Sequence, residues 1–110
     1  MNGYAIVQQM KEEIESELLR GEDLEQIKDR SGEFIDSYLP IYNHKILEEW
    51  GQMPNNYDNR GSAELGYEGD PDIIRLMTLD LYLYYSDLFF EAMGEIEHEK
   101  DIEEKSFISV

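Results

Sequence analysis

The chain has 110 residues and no cysteine, and sets 26 Asp and Glu against 9 Lys and Arg for a net charge of −17. Its 41% hydrophobic and 12% aromatic content is too rich for a disordered acidic chain, so one folded domain over residues 1–110 is expected. The charge exceeds the magnitude of about 2–8 that keeps a small domain soluble, and it argues against phosphates and anionic lipid as partners and for a basic protein surface.

Residues 1–10 lack a basic start followed by an apolar run, and the longest apolar region is broken by Arg75, Asp80 and Asp87, so neither a signal peptide nor a membrane span is expected. Without cysteine there is no disulfide or thiolate chemistry, which fits a cytoplasmic protein.

The first predicted element is an amphipathic helix over residues 4–20, where Tyr4, Val7, Met10, Ile14 and Leu18 recur every three or four positions. Gly21 is its stop signal. A short second helix over 23–30 places Leu24 and Ile27 on one side. After Ser31 and Gly32 a third stripe runs through Phe34, Ile35, Tyr38, Ile41, Tyr42, Ile46 and Trp50, with a kink or fresh start at Pro40, which has no N–H to continue a helix. Residues 51–70 contain four Gly and one Pro and read as a loop.

Asp70-Pro71-Asp72 then combines a capping side chain, a proline suited to the first helical position and an acid in the positively polarised first turn. The long helix it opens is expected to reach about residue 104, with 105–110 as a flexible tail. Its middle, LDLYLYYSDLFF, is apolar on nearly every face and should be surrounded. Three shorter helices offer little cover, so the expected architecture is all-α and homodimeric, with Met77, Leu81, Tyr84, Leu88 and Met93 as the self-contact.

Catalytic and metal-binding patterns are weak. Glu95-x-x-His98 matches one half of a di-iron carboxylate site, but a second copy is missing and His44 has no Glu three residues before it. Residues 56–61 resemble the start of a calcium loop, yet Arg60 stands at a ligand position and Tyr67 where the bidentate Glu belongs, which favours a plain turn. No nucleophile triad or phosphate-cradling glycine loop is present, so neither an enzyme nor a cofactor or metal site is expected. The aromatics Tyr82, Tyr84, Tyr85, Phe89 and Phe90 lack the basic surround of a base-stacking platform and read as core or self-contact.

Acid is spread along every predicted helix. Glu12, Glu13 and Glu17 lie on the first, Glu22, Glu25 and Asp29 on the second, and Glu33, Asp36, Glu48 and Glu49 on the third. Asp72, Asp80, Asp87, Glu91, Glu95 and Glu99 follow on the last. Such rows are usually solvated faces. Helical neighbours three or four apart sit about 5–6 Å from each other, however, and a duplex carries one phosphate per roughly 3.4 Å on each strand, so two rows of carboxylates can approximate phosphodiester spacing on a rigid frame.

Two stretches resemble the Ocr-like family of phage anti-restriction proteins, which are dimeric helical mimics of duplex DNA. Pro40-Ile41-Tyr42-Asn43-His44-Lys45-Ile46 is similar to the Pro-x-Tyr-x-x-x-Ile that begins that family's middle helix. Pro71-Asp72-Ile73-Ile74-Arg75-Leu76-Met77, with Tyr82 and Glu91 beyond, resembles its long final helix. The likeness spans roughly residues 34–104 and departs at the close, where His98 and Lys100 interrupt EIEHEKDIEE and the chain ends in apolar SFISV. It implies an inhibitor that fills the DNA-binding cleft of a host defence enzyme, with the carboxylates above, Asp80 apart, as the partner-binding surface. The alternative expectation is an acidic adaptor that recruits a partner by helix packing or through SFISV.

Overall fold

A computed structural model of the chain describes residues 3–53 and 70–108, and their side chains as far as residue 102. The described residues form helices and turns with no strand: α1 (Gly3–Leu19), α2 (Leu24–Asp29), α3 (Ser31–Asp36), α4 (Asn43–Gly51) and α5 (Pro71–Ile108). Two compact units divide the chain, one spanning Glu33–Ser86 and the other combining Asn2–Gly32 with Asp87–Val110, so α5 contributes its first part to one and its later part to the other.

In the unit that holds α1 and α2, the expected stripe packs through Val7, Met10 and Ile14, while Tyr4 is exposed at the first turn of α1. Gly21 ends α1 with a backbone φ of +98°. Its N–H donates to the carbonyl of Leu18 and that of Glu22 donates to Glu17, the paired bonds of a Schellman closure that needs a left-handed residue at this point. The chain then restarts at once. Asp23 caps α2 by accepting from the Gln26 N–H at 2.8 Å, and the Gln26 side chain accepts from the Asp23 N–H at 3.0 Å. Ile27 of α2 and Leu88, Phe89, Ala92, Met93 and Ile96 of α5 complete this unit's buried side chains.

In the other unit the expected third helix is two. The Ser37 hydroxyl donates to the Phe34 carbonyl at 2.6 Å, and the N–H groups of Ser37, Tyr38 and Leu39 fold back onto Glu33, Phe34, Ile35 and Asp36, closing α3 ahead of Pro40. Serine competes with the backbone ladder in this way. The chain re-enters helix only at Asn43, which leaves Ile41 and Tyr42 exposed in the connection and not on a packed stripe. Ile35, Ile46, Leu47, Trp50, Met53, Ile74, Met77, Leu81 and Tyr85 are this unit's buried residues.

The start of α5 is as expected: the Asp70 carboxylate accepts from the N–H groups of Asp72 and Ile73 at 3.0 and 3.4 Å. The helix runs on to Ile108, taking in residues 105–108 that were expected to lie beyond it. Of the residues expected at a self-contact, Met77, Leu81, Leu88 and Met93 are buried within the single chain and Tyr84 is half-buried. Among the described side chains of α5, the large apolar residues left in solvent are Leu76, Leu79, Leu83, Phe90 and Ile102. No helix among the described residues is long and apolar enough to cross a membrane.

Candidate acidic interaction surface

Carboxylates reach the surface on all five helices, and the structure sorts them into two groups by whether the chain's own cations engage them. In the unit containing α1 and α2, Lys11 of α1 reaches α5, with its Nζ 2.8 Å from Glu99 Oε1 and 3.9 Å from Glu95 Oε2. Glu95 and Glu99 are one turn apart, so a single ammonium group spans both. Lys28 of α2 makes the parallel contact to Glu97 at 2.5 Å and lies 3.9 Å from Glu25. Arg30 pairs with Glu22 and lies 3.9 Å from Glu17. The hydrogen bond to Glu99 raises the Lys11 pKa above its ordinary value, and the bond to Glu97 does the same for Lys28, each against the opposing cost of desolvation.

Glu17, Glu22, Glu25, Glu95 and Glu99, all expected on the partner-binding surface, therefore each have one of the chain's own cations within 4 Å. Sequence reasoning missed Glu97 altogether; its signal was its place in the 95–99 run, opposite the only lysine of α2. Glu12, Glu13, Asp29, Asp87 and Glu91 are exposed and form no ion pair among the described residues. Asp87 and Glu91 are four residues apart on α5, so they project from one face of the helix.

Among the described residues, the unit that holds α4 has fewer internal pairs. Lys45 lies 3.4 Å from Glu48 on the same helix. Glu49, also expected on the partner surface, is turned inward and half-buried: burial pushes its carboxyl above the usual range, while a hydrogen bond from the Tyr85 hydroxyl and the charge of Lys45 work the other way. Burial likewise pushes the Tyr85 phenol upward, reinforced by the neighbouring Glu49 charge. Glu49 is thus partly withdrawn from the surface. Asp80 accepts from the Trp50 indole N–H at 3.0 Å, so it too has a structural duty. Glu33 and Asp36, one turn apart on α3, and Asp72 at the head of α5 are exposed with no cation beside them among the described residues.

His98 is exposed, as is His44, whose ring stacks on Tyr42 with centroids 5.8 Å apart. Among the described residues no three His, Asp or Glu side chains converge as metal ligands. The calcium-loop likeness at 56–61 lies outside the described residues, as do the side chains of the SFISV end.

No protein-family model, curated protein or solved structure matches the chain. The resemblance to Ocr-like proteins accordingly stands on its quoted residues alone. Those of 40–46 fall across the exposed connection and the first turn of α4, and those of 71–77 on the first two turns of α5.

Proposed function

We propose that the chain is a DNA-mimic inhibitor that occupies the basic DNA-binding cleft of a host defence enzyme, such as a restriction-modification complex, as a phage-type countermeasure. The observation that carries the reading is a set of exposed, helix-borne carboxylates that pair with no cation among the described residues, Glu12, Glu13, Asp29, Glu33, Asp36, Asp72, Asp87 and Glu91, of which Glu33 and Asp36, and Asp87 and Glu91, are one turn apart. Lys and Arg side chains that normally grip phosphates would meet these carboxylates in charge-assisted hydrogen bonds. Long-range attraction from the −17 charge would accelerate the encounter. Inhibition is competitive and involves no catalysis.

The mechanism works with one copy of the chain or two. The test contrasts the two groups of carboxylates against a DNA-cleaving defence enzyme that the chain inhibits. Reversing the unpaired set Glu12, Glu13, Asp87 and Glu91 to Lys should weaken inhibition stepwise. Neutralising the self-paired Glu25 and Glu48 to Gln should leave it nearly unchanged. Equal losses from both sets, or inhibition that duplex DNA cannot compete away, would sink the proposal.

A further inference from the structure

Imitation of a phosphate backbone gives no role to the leucines that α5 leaves in solvent. Leu76, Leu79 and Leu83 follow one another at spacings of three and four residues and are 63%, 52% and 55% exposed. On the opposite side of the same turns Ile74, Met77, Leu81 and Tyr85 are buried, so this part of α5 has two apolar faces, one packed and one open. Residues at this spacing form the narrow seam along which one helix packs on another. A duplex presents no such seam, so the leucines call for a protein surface.

The charges beside the seam select the kind of surface. Asp72 and Asp80 lie one turn before and one turn after Leu76, and both are exposed. Asp80 is held in place through its Oδ2 by the Trp50 indole, which leaves its other oxygen available on a fixed carboxylate. Arg75, the one cation within these turns, lies on the border opposite Asp80, while Asp72 stands in line with the leucines at the start of the seam. A second copy of the chain would bring matching leucines but also the same two aspartates and a further charge of −17. A cationic amphipathic helix brings an apolar stripe with lysine or arginine beside it, and meets both features.

We propose that this face of α5 docks a cationic amphipathic helix of a partner protein, its apolar stripe on Leu76, Leu79 and Leu83 and its basic side chains against Asp80 on one border and Asp72 at the end of the seam. Helix packed against helix is a common mode of segment recognition. The inference has its own observation and holds or falls apart from cleft occupancy, because the test contains neither a nuclease nor DNA.

Three labelled synthetic helices of about three heptads serve as probes in fluorescence anisotropy: one with a leucine stripe and lysine borders, one with the lysines changed to glutamine, and one with the leucines changed to serine. The first should bind the full chain at least tenfold more tightly than the other two. The triple variant Leu76→Gln, Leu79→Gln, Leu83→Gln should lose at least tenfold for the first probe, with helicity by circular dichroism unchanged because the three side chains already face water. Should the triple variant lose helicity, Leu79→Gln alone serves, with a loss of about threefold expected. Equal binding of the leucine and serine probes, equal binding of the lysine and glutamine probes, or unchanged affinity in the variant would each overturn the proposal, as would no binding at all. Sedimentation showing that the chain pairs with itself and that the leucine variant does not would assign the face to a second copy, which also overturns it.

Discussion

Lys11→Met separates the carboxylates that build the fold from those available to a partner. The lysine side chain is only 14% exposed, and its Nζ sits between Glu99 at 2.8 Å and Glu95 at 3.9 Å. Methionine keeps the apolar stem and removes the charge. An exposed ion pair contributes about 0.2–1 kcal/mol; the covered stem and the two acceptors place this one at the upper end. Removing the cation also leaves two like charges one turn apart, which adds a few tenths of a kcal/mol. The expected loss is about 1 kcal/mol, or about 5 °C in Tm for a domain of this size.

The assay is thermal unfolding by circular dichroism in low salt and again in about 1 M salt, where the Debye length falls to about 3 Å and the difference should shrink by half or more. Glu99→Gln in the Lys11→Met background should cost little further, since the two share one interaction. The pH dependence has a definite sign. The folded-state pKa of Lys11 is raised above 10.5, so the stabilisation is full below that value and is lost only as pH climbs through the raised one. The variant's deficit should be constant from pH 7 to 10 and fade in stronger alkali. A deficit that persists undiminished in high salt, or additive losses from Lys11→Met and Glu99→Gln, would refute the clasp and leave packing as its cause.

Glu49→Gln should stabilise the protein at neutral pH by up to about 1 kcal/mol, because burial raises the folded-state pKa above 4.5 and ionisation therefore opposes folding. The sign is the reverse of a salt-bridged carboxylate: the favourable contribution is complete below 4.5 and disappears as pH rises through the folded value. Thermal melts should show a gain at pH 7 and none at pH 4, and a loss at pH 7 would mean that Tyr85 requires the charged acceptor. Gly21→Ala should cost about 1 kcal/mol in chemical denaturation. Its Cβ would meet nothing within 4 Å, so the whole effect is the +98° backbone angle, and a neutral result would show the turn can relax. Asp23→Ala should cost about 1 kcal/mol through the lost cap of α2, with Asp23→Asn retaining most of the stability; equal losses from both would assign the effect elsewhere.

Local signals carried the fold well. The 3–4 spacing of Val7, Met10 and Ile14, the glycine that closes α1 and the Asp70-Pro71-Asp72 start of α5 are each written within a few residues and depend little on the rest of the chain. The break between α3 and α4 comes one turn before the expected Pro40, because Ser37 bonds back to Phe34 and ends the helix before the proline is reached. The cap of α2 was legible as Asp23-x-x-Gln26 and passed over.

The interior of α5 was harder to read. Its apolar residues lie on two faces, and composition cannot tell which packs inward; Met77, Leu81, Leu88 and Met93, expected with Tyr84 at a self-contact, are buried within the single chain. Carboxylate roles were equally hidden. Lys11 and Lys28 choose Glu95, Glu97 and Glu99 across some 70 to 90 residues of sequence, and such pairing follows from tertiary packing alone. Glu49 reads as one more surface acid beside Glu48, yet its side chain points to Tyr85.

If helix-borne carboxylates stand in for the phosphates of DNA, the chain should be displaced from its target by a duplex. The most direct test is capture from a bacterial lysate on immobilised chain at low salt, with a duplex oligonucleotide as the eluent and the Glu12, Glu13, Asp87 and Glu91 to Lys variant as the control column. The account predicts that DNA-binding enzymes are retained, leave the column when duplex is added, and are absent from the control. Proteins retained equally by both columns and indifferent to duplex and salt would contradict it.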